Sequence, residues 1–217
     1  LHYIELKRTG KLDVYFNNIR KIRKAGGSIQ CNIRLCDDYI KIIDEIKERV
    51  KDELGAYPQC NIVRNVTEFP IRILTRYPYE EYVNFGKFFE SPLFESAIEA
   101  FGIKRTEFCY AGLWSGQIDL STGLLRKCYG CDIGVQNIFE GSGAIEFEPI
   151  GTNCKAAFCT NSDLFLAMGN IPEYEIKTVT ELHDRMEAHW YSDEMAAALN
   201  GRLCDVHPGY TDAQQKK

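Results

Sequence analysis

Six of the nine cysteines of this 217-residue chain lie in its second half, at spacings that could bring their thiols together. Cys109 and Cys128 flank a segment with the turn-forming sequence Ser-Thr-Gly at 121–123, so a β-hairpin would bring its two ends close to each other. Cys154 and Cys159 follow on a polar loop. Four thiolates gathered in this way suit a tetrahedral zinc ion or a 4Fe-4S cluster. We therefore predict a metal site in the second half.

Other arrangements of the same cysteines stay open. Cys131 lies three residues after Cys128 and could replace Cys154 or Cys159 in the site, or remain outside it. The pairs Cys128 with Cys131 and Cys154 with Cys159 are also typical of a zinc ribbon. The sequence Cys-Tyr-Gly-Cys at 128–131 would suit a thiol redox protein, but a hairpin end lacks the helix dipole that lowers a thiol pKa. The spacing therefore favours metal over thiol exchange.

The first half alternates predicted helices and strands. Apolar residues recur at helical spacing over 12–22 and over 40–54, where Gly55 is expected to end the helix. Residues 28–35 alternate between apolar and polar, and 59–64 forms a second strand, so a parallel βαβ unit is predicted. Further helices are predicted at 80–89, 93–101, 163–168, 179–190 and 192–199, and short strands at 108–114, 117–120 and 124–127.

One face of the first strand is polar. Because a strand buried on both sides is usually apolar throughout, a concave, barrel-like sheet that binds a polar ligand would account for this face, and a wet edge strand is the alternative. In a barrel, residues near the carboxyl ends of strands face the ligand, which selects His2, Glu5, Asn32, Arg34 and Arg64. Arg34 or Arg64 could pair a carboxylate through two parallel hydrogen bonds. Each residue taken alone is also typical of a surface ion pair.

The cysteine spacing resembles that of a known group of domains. Cys109, thirteen residues, Gly123, four residues and Cys128 resemble the opening signature of the SPASM and twitch domains of radical S-adenosylmethionine (radical SAM) enzymes. The segment 154–163 is similar to the later cysteine segment of that group, and the βαβ half is similar to the last strands of their partial TIM barrel. The resemblance covers most of the chain.

The resemblance implies an α/β plus α+β fold in two domains. Residues 1–105 would be the C-terminal (β/α) units of a partial TIM barrel, and residues 106–217 a small Cys-rich β-hairpin/helix domain with an auxiliary 4Fe-4S cluster. Its implied ligands are Cys109, Cys128, Cys154 and Cys159, with Cys131 as the alternative. Its implied contacts to S-adenosyl-L-methionine are Asn32, Arg34 and Arg64.

The chain departs from the family at its defining motif. No CxxxCxxC is present, because Cys31 and Cys36 have four residues between them and no third partner. With the start at Leu1, this predicts the C-terminal part of an enzyme, inactive alone in S-adenosylmethionine cleavage. The full-length enzyme would take an electron from an external donor such as flavodoxin or ferredoxin and abstract hydrogen from a peptide or small-molecule substrate.

Composition narrows the functional classes. With 26 Lys+Arg against 31 Asp+Glu, no positive excess is available to bind nucleic acid. No apolar run approaches the ~20 residues of a membrane span, and the charged start predicts no signal peptide. Nine cysteines without a secretion signal indicate a reducing compartment, so a cytoplasmic protein is expected. The rival function is a zinc-stabilised four-cysteine binding module without catalysis.

Overall fold

The computed structural model describes residues 1–65, 70–128, 135–141, 144–159, 161 and 178–201. Within these residues the protein combines helices with small sheets. The chain divides into two compact units, Leu1–Glu99 with Thr178–Asn200 and Ala100–Lys177 with Gly201–Lys217. None of the described helices is both long enough and apolar enough to cross a membrane.

Two helices open the first unit, α1 (Tyr3–Arg8) and α2 (Leu12–Lys24). The second confirms the helix predicted from apolar spacing. Phe16 and Ile19 are its buried residues, three positions apart on one face. The helix ends just before the two glycines at 26–27.

A parallel βαβ unit follows and confirms the prediction for this part of the chain. Its elements are β1 (Asn32–Leu35), α3 (Asp37–Ile40), α4 (Ile43–Leu54) and β2 (Gln59–Ile62). The two strands pair in parallel along their whole lengths. Gly55 ends α4, as predicted. The predicted single helix is divided in two, because the backbone of Ile42 leaves helical geometry and forms the N-cap of α4.

The first strand has one buried and one open face, as its alternation predicts. Its apolar residues are buried, whereas Arg34 is exposed and Asn32 is half-buried. The paired strand is shorter than the predicted 28–35. The N–H of Ile29 donates to the carbonyl of Trp190 over 2.9 Å, and before β1 the carbonyl of Cys31 accepts from the N–H of Gln59 in β2 over 2.8 Å.

The remaining elements of the first unit are short. They are β3 (Arg64–Asn65), β4 (Arg72–Ile73), α5 (Tyr79–Lys87), α6 (Pro92–Glu99), α7 (Val179–His183), a 3-10 helix (Met186–Ala188) and α8 (Asp193–Asn200). β3 and β4 pair antiparallel, and α6 packs on β2. The described strands of this unit form two two-stranded sheets and no closed barrel, so the partial barrel stays a prediction.

Residues 178–200 belong to the first unit because buried side chains attach them there. Trp190 is 1% exposed, and its indole N–H donates to the carbonyl of Leu54 over 3.0 Å. This division differs from the predicted one, which placed all of 106–217 in the second domain. The apolar pattern of the segment does not show that its partners lie in the first hundred residues.

Arg185 makes the second attachment. Its buried guanidinium donates to the carbonyls of Tyr57 and Pro58, each over 3.0 Å, and to those of Phe89 over 2.7 Å and Glu90 over 2.6 Å. One side chain therefore joins the start of β2 to the connection between α5 and α6. The helix predicted over 179–190 is interrupted here, with α7 before Arg185 and the 3-10 helix after it.

The second unit contains a three-stranded antiparallel sheet. Its strands are β5 (Gln117–Asp119), β6 (Leu124–Arg126) and β7 (Gln136–Asn137), in that order. The hairpin with its turn at 121–123 is confirmed. Of the strand predicted over 108–114 only isolated β-bridges at Cys109 and Ala111 form, because the chain turns at 112–114, with the N–H of Gly112 donating to the carbonyl of Ser115 over 2.7 Å. The helix predicted at 163–168 lies outside the described residues.

Candidate functional site

Two short paired segments bring Cys109 next to the loop that carries Cys154. The N–H of Cys109 donates to the carbonyl of Gly151 over 3.0 Å, and the N–H of Gly151 donates back to the Cys109 carbonyl over 2.9 Å. Beside this pair, the N–H of Ile150 donates to the carbonyl of Ala111 over 3.0 Å. Only two residues separate Gly151 from Cys154. This backbone pairing with residues 150–151, rather than the predicted strand, therefore places Cys109 near Cys154.

The glycine between the first two cysteines is required by the turn. Gly123 has a φ of 73°, which strains any residue with a side chain. A Cβ at this position would lie 2.5 Å from the ring of Phe139 and 2.6 Å from Oδ1 of Asn137. The N–H of Ile138 donates to the Gly123 carbonyl over 2.8 Å. Because glycine has no side chain, β7 can pack against the hairpin at this turn. The second strand of the hairpin, β6, ends two residues before Cys128.

A second close approach lies where the hairpin ends. Gly112 has a φ of 95°, and a Cβ on it would lie 2.3 Å from the carbonyl oxygen of Glu148 and 2.7 Å from Cγ of Lys127. Since Lys127 directly precedes Cys128, this contact places Cys128 beside the turn that begins just after Cys109.

The electrostatics of the Cys109 thiol identify its neighbours. Cys109 is 6% exposed, and its pKa is raised to about 12, chiefly because burial disfavours the thiolate. The thiols of Cys159, Cys128 and Cys154 raise the same pKa, because a negative charge on any of them would repel one on Cys109. Each of the other three thiols selected by spacing is therefore near enough to Cys109 to affect its pKa.

The donor set fits thiolate-bound metals, although these side chains do not form a closed ligand shell. Four thiolates are the donors that zinc and 4Fe-4S clusters use. Among the described residues, no three His, Cys, Asp or Glu side chains lie close enough together to hold a metal ion. The seven cysteines in the described part of the chain form no disulfide. Because ionised thiols repel one another without a cation, closing such a shell is coupled to metal binding.

Two cysteines fall outside the described residues. They are Cys131, the alternative ligand, and Cys204, the cysteine remote from the others. Cys31 and Cys60 are completely buried in the first unit, as is common for cysteine, which is among the most frequently buried residue types.

A cavity of about 420 Å³ lies beside β1 in the first unit, within the size range of small-ligand sites. Its lining residues are Leu1, His2, Asn32, Arg34, Cys36, Tyr39 and Val63. The Oδ1 atom of Asn32 is shielded from solvent and has no hydrogen-bond partner within the described residues. The side chain of Arg34 forms no ion pair with any described residue.

Three of the five predicted ligand-facing residues line this cavity, namely His2, Asn32 and Arg34. The other two lie elsewhere. Glu5 is on α1 and pairs with Arg8 over 2.8 Å on the surface, because the two are three residues apart on one helix. Arg64 is in β3, opposite Ile73 of β4, and is not among the lining residues.

Two further residues that line the cavity were not predicted, although their positions directly after parallel strands could have indicated them. Cys36 directly follows β1, and Val63 directly follows β2. Both are at the carboxyl ends of parallel strands, where ligands of α/β proteins bind. Tyr39 on α3 had no such signal, because a tyrosine in a short helix is more often a packing residue.

Comparison with known proteins finds no match: no family model, no curated protein and no solved structure is similar to this chain. The functional assignment therefore rests on the residues themselves, on their spacing and on their surroundings.

Proposed function

We propose that this chain is the C-terminal part of a radical S-adenosylmethionine enzyme, with an auxiliary 4Fe-4S site in its second unit. The observation that carries the proposal is the backbone pairing of Cys109 with Gly151, which brings this buried thiol next to the loop of Cys154; the thiols of Cys128, Cys154 and Cys159 each raise its pKa. When bound, such a cluster accepts and donates single electrons or offers a site for substrate.

The thiols supply both the charge and the pH dependence of the proposed site. With a pKa of about 12, Cys109 carries a proton at neutral pH, and only its thiolate can ligate a metal. Metal binding must therefore displace this proton, so affinity rises with pH. The burial that raises this pKa also excludes water, which strengthens the attraction between a bound cation and the thiolates.

The cavity in the first unit supports the other part of the proposal, binding of S-adenosyl-L-methionine. The guanidinium of Arg34 can pair a carboxylate through two hydrogen bonds, and Oδ1 of Asn32 can accept one from a ligand hydroxyl or ammonium. In the full-length enzyme, an external electron donor such as flavodoxin or ferredoxin would supply the electron, and a peptide or small molecule would be the substrate.

A zinc-stabilised module without catalysis is the second candidate. The second unit has strands of two or three residues and exposes large apolar side chains, for example Leu120 (78%), Phe139 (64%) and Phe147 (63%). A small sheet of this kind buries little apolar surface, and a structural zinc ion contributes the missing folding free energy.

Anaerobic reconstitution with iron and sulfide distinguishes the two candidates. A cubane cluster should give a brown protein with about four irons per chain. The zinc module should instead give a colourless protein that holds about one zinc ion per chain. Cys109→Ser and Cys128→Ser are each expected to abolish iron loading. Cys36→Ser is the matched control, because Cys36 lies in the first unit and should leave loading unchanged. Full loading in both second-unit variants would contradict the proposal.

A further inference from the structure

The loop that carries Cys154 is held by a lysine that no cysteine spacing reveals. Lys104 lies in the segment between α6 and Cys109, and its Nζ donates to the carbonyl of Cys154 over 3.2 Å. The same ammonium donates to the carbonyl of Ala156. Two main-chain oxygens on either side of residue 155 therefore share one charged donor.

An aromatic contact supports the same loop from the same segment. The ring of Phe101 meets that of Phe158 edge-to-face, with centroids 5.1 Å apart, and Phe158 is 8% exposed. Residues 101 and 104 thus contact residues 154, 156 and 158. Of the loop's two cysteines, Cys154 receives the contact at its own backbone, while Cys159 follows the buried ring directly.

These contacts have a chemical consequence for a thiolate site. A hydrogen bond from an ammonium is stronger than one from a neutral donor, so it restricts the backbone that orients the Cys154 side chain. Four thiolates around a divalent ion carry a net negative charge, and an ammonium bonded next to one ligand offsets part of it. Groups of this kind, outside the ligands themselves, typically change metal affinity by about 10- to 100-fold.

We propose that Lys104 is the positioning residue of the Cys154 ligand, which it holds through the carbonyls of Cys154 and Ala156. This inference rests on the proposed metal site. Neither the cysteine–glycine–cysteine signature nor the later cysteine segment includes Lys104. Because Lys104 lies five residues before Cys109, it links the segment that carries this proposed ligand to the loop that carries Cys154.

The test uses zinc alone as the probe, with affinity measured on the full chain by competition with a chromophoric chelator. Lys104→Met removes the ammonium and is expected to weaken zinc binding by about 10-fold. Lys104→Arg keeps a charged donor and should restore most of the affinity. Lys155→Met is the matched control, because it removes the same charge from the same loop at an exposed side chain that forms no ion pair with a described residue.

Hydrogen exchange of residues 154–158 in the metal-free protein gives a second readout. Faster exchange in Lys104→Met, but not in Lys155→Met, supports the positioning role. Equal zinc affinity in wild type and Lys104→Met, or equal weakening by both methionine variants, overturns it. A wild-type chain that neither binds zinc nor takes up iron and sulfide overturns the proposed metal site instead, and the exchange data then decide the role of Lys104.

Discussion

Replacing Arg185 by methionine is expected to destabilise the first unit more than removal of any surface charge. The guanidinium is 6% exposed and donates to four main-chain carbonyls at 2.6–3.0 Å. Burial lowers the pKa of Arg185, yet the group stays protonated at neutral pH. Methionine keeps the aliphatic part of the side chain and removes every donor.

The magnitude follows from the number and type of these bonds. A hydrogen bond to a charged group contributes about 1.5–3 kcal/mol, so simple addition over four would overestimate the loss. Each buried carbonyl left without a donor costs about 1–3 kcal/mol, and because such costs add incompletely we take about 3–5 kcal/mol as the loss for all four. We expect a loss in this range, which is a large part of the ~5–15 kcal/mol stability of a domain.

Urea unfolding followed by the fluorescence of Trp190 measures this loss. Trp190 is buried in the same unit, and Trp114→Phe removes the other tryptophan from the signal. Arg20→Met is the control: this side chain is half exposed and pairs with Glu53, so its loss should cost at most about 1 kcal/mol. Arg185→Lys should regain only part of the stability, since one ammonium cannot reach all four carbonyls. If Arg185→Met were as stable as the control, the carbonyl contacts would not be what attaches residues 178–200.

Two further predictions concern a glycine and a thiol. Gly123→Ala should destabilise the second unit by about 1–3 kcal/mol, because the φ of Gly123 is positive and a Cβ there would meet Phe139. Gly102 has a similar φ of 79° but lies in open space, so Gly102→Ala should cost less. Thermal unfolding of both variants measures the difference, and equal losses would contradict the steric part of the argument. Burial raises the pKa of Cys31 to about 11 from an ordinary 9.0, so the thiol of the unfolded chain ionises first and stability falls by about 1 kcal/mol per pH unit between pH 9 and 11. Urea titrations at pH 8 and 10.5 should show a larger loss of stability in wild type than in Cys31→Ala. Equal losses in the two proteins would exclude this thiol as the cause.

Local periodicity predicted the parts of the fold whose partners are near in sequence. The face of α2, the alternation of β1 and the βαβ connection all follow from side-chain patterns that repeat within one element. The attachment of Arg185 could not be predicted in this way. Its partners are carbonyl oxygens, which every residue carries and which leave no trace in the side-chain sequence.

In the candidate site, too, some features follow from local sequence patterns and others do not. Spacing selected Cys109 and Cys128 because a hairpin and its turn are local features, and the thiols of Cys128, Cys154 and Cys159 each raise the pKa of Cys109. Gly112 and Lys104 were not selected. One acts by letting two backbones approach, and the other by bonding to carbonyls, so neither has a partner that a sequence pattern identifies.

The return of residues 178–200 to the first unit has a consequence during synthesis on the ribosome. The carbonyls of Phe89 and Glu90 emerge about 95 residues before Arg185, which corresponds to roughly 5–20 s of translation. During this interval the early segment lacks the donor that satisfies its buried oxygens, while the cysteine-rich segment between them is already available to fold. A nascent chain stalled before residue 185 should therefore be bound by chaperones and cut by proteases within its first hundred residues, and release of the later segment should end that vulnerability.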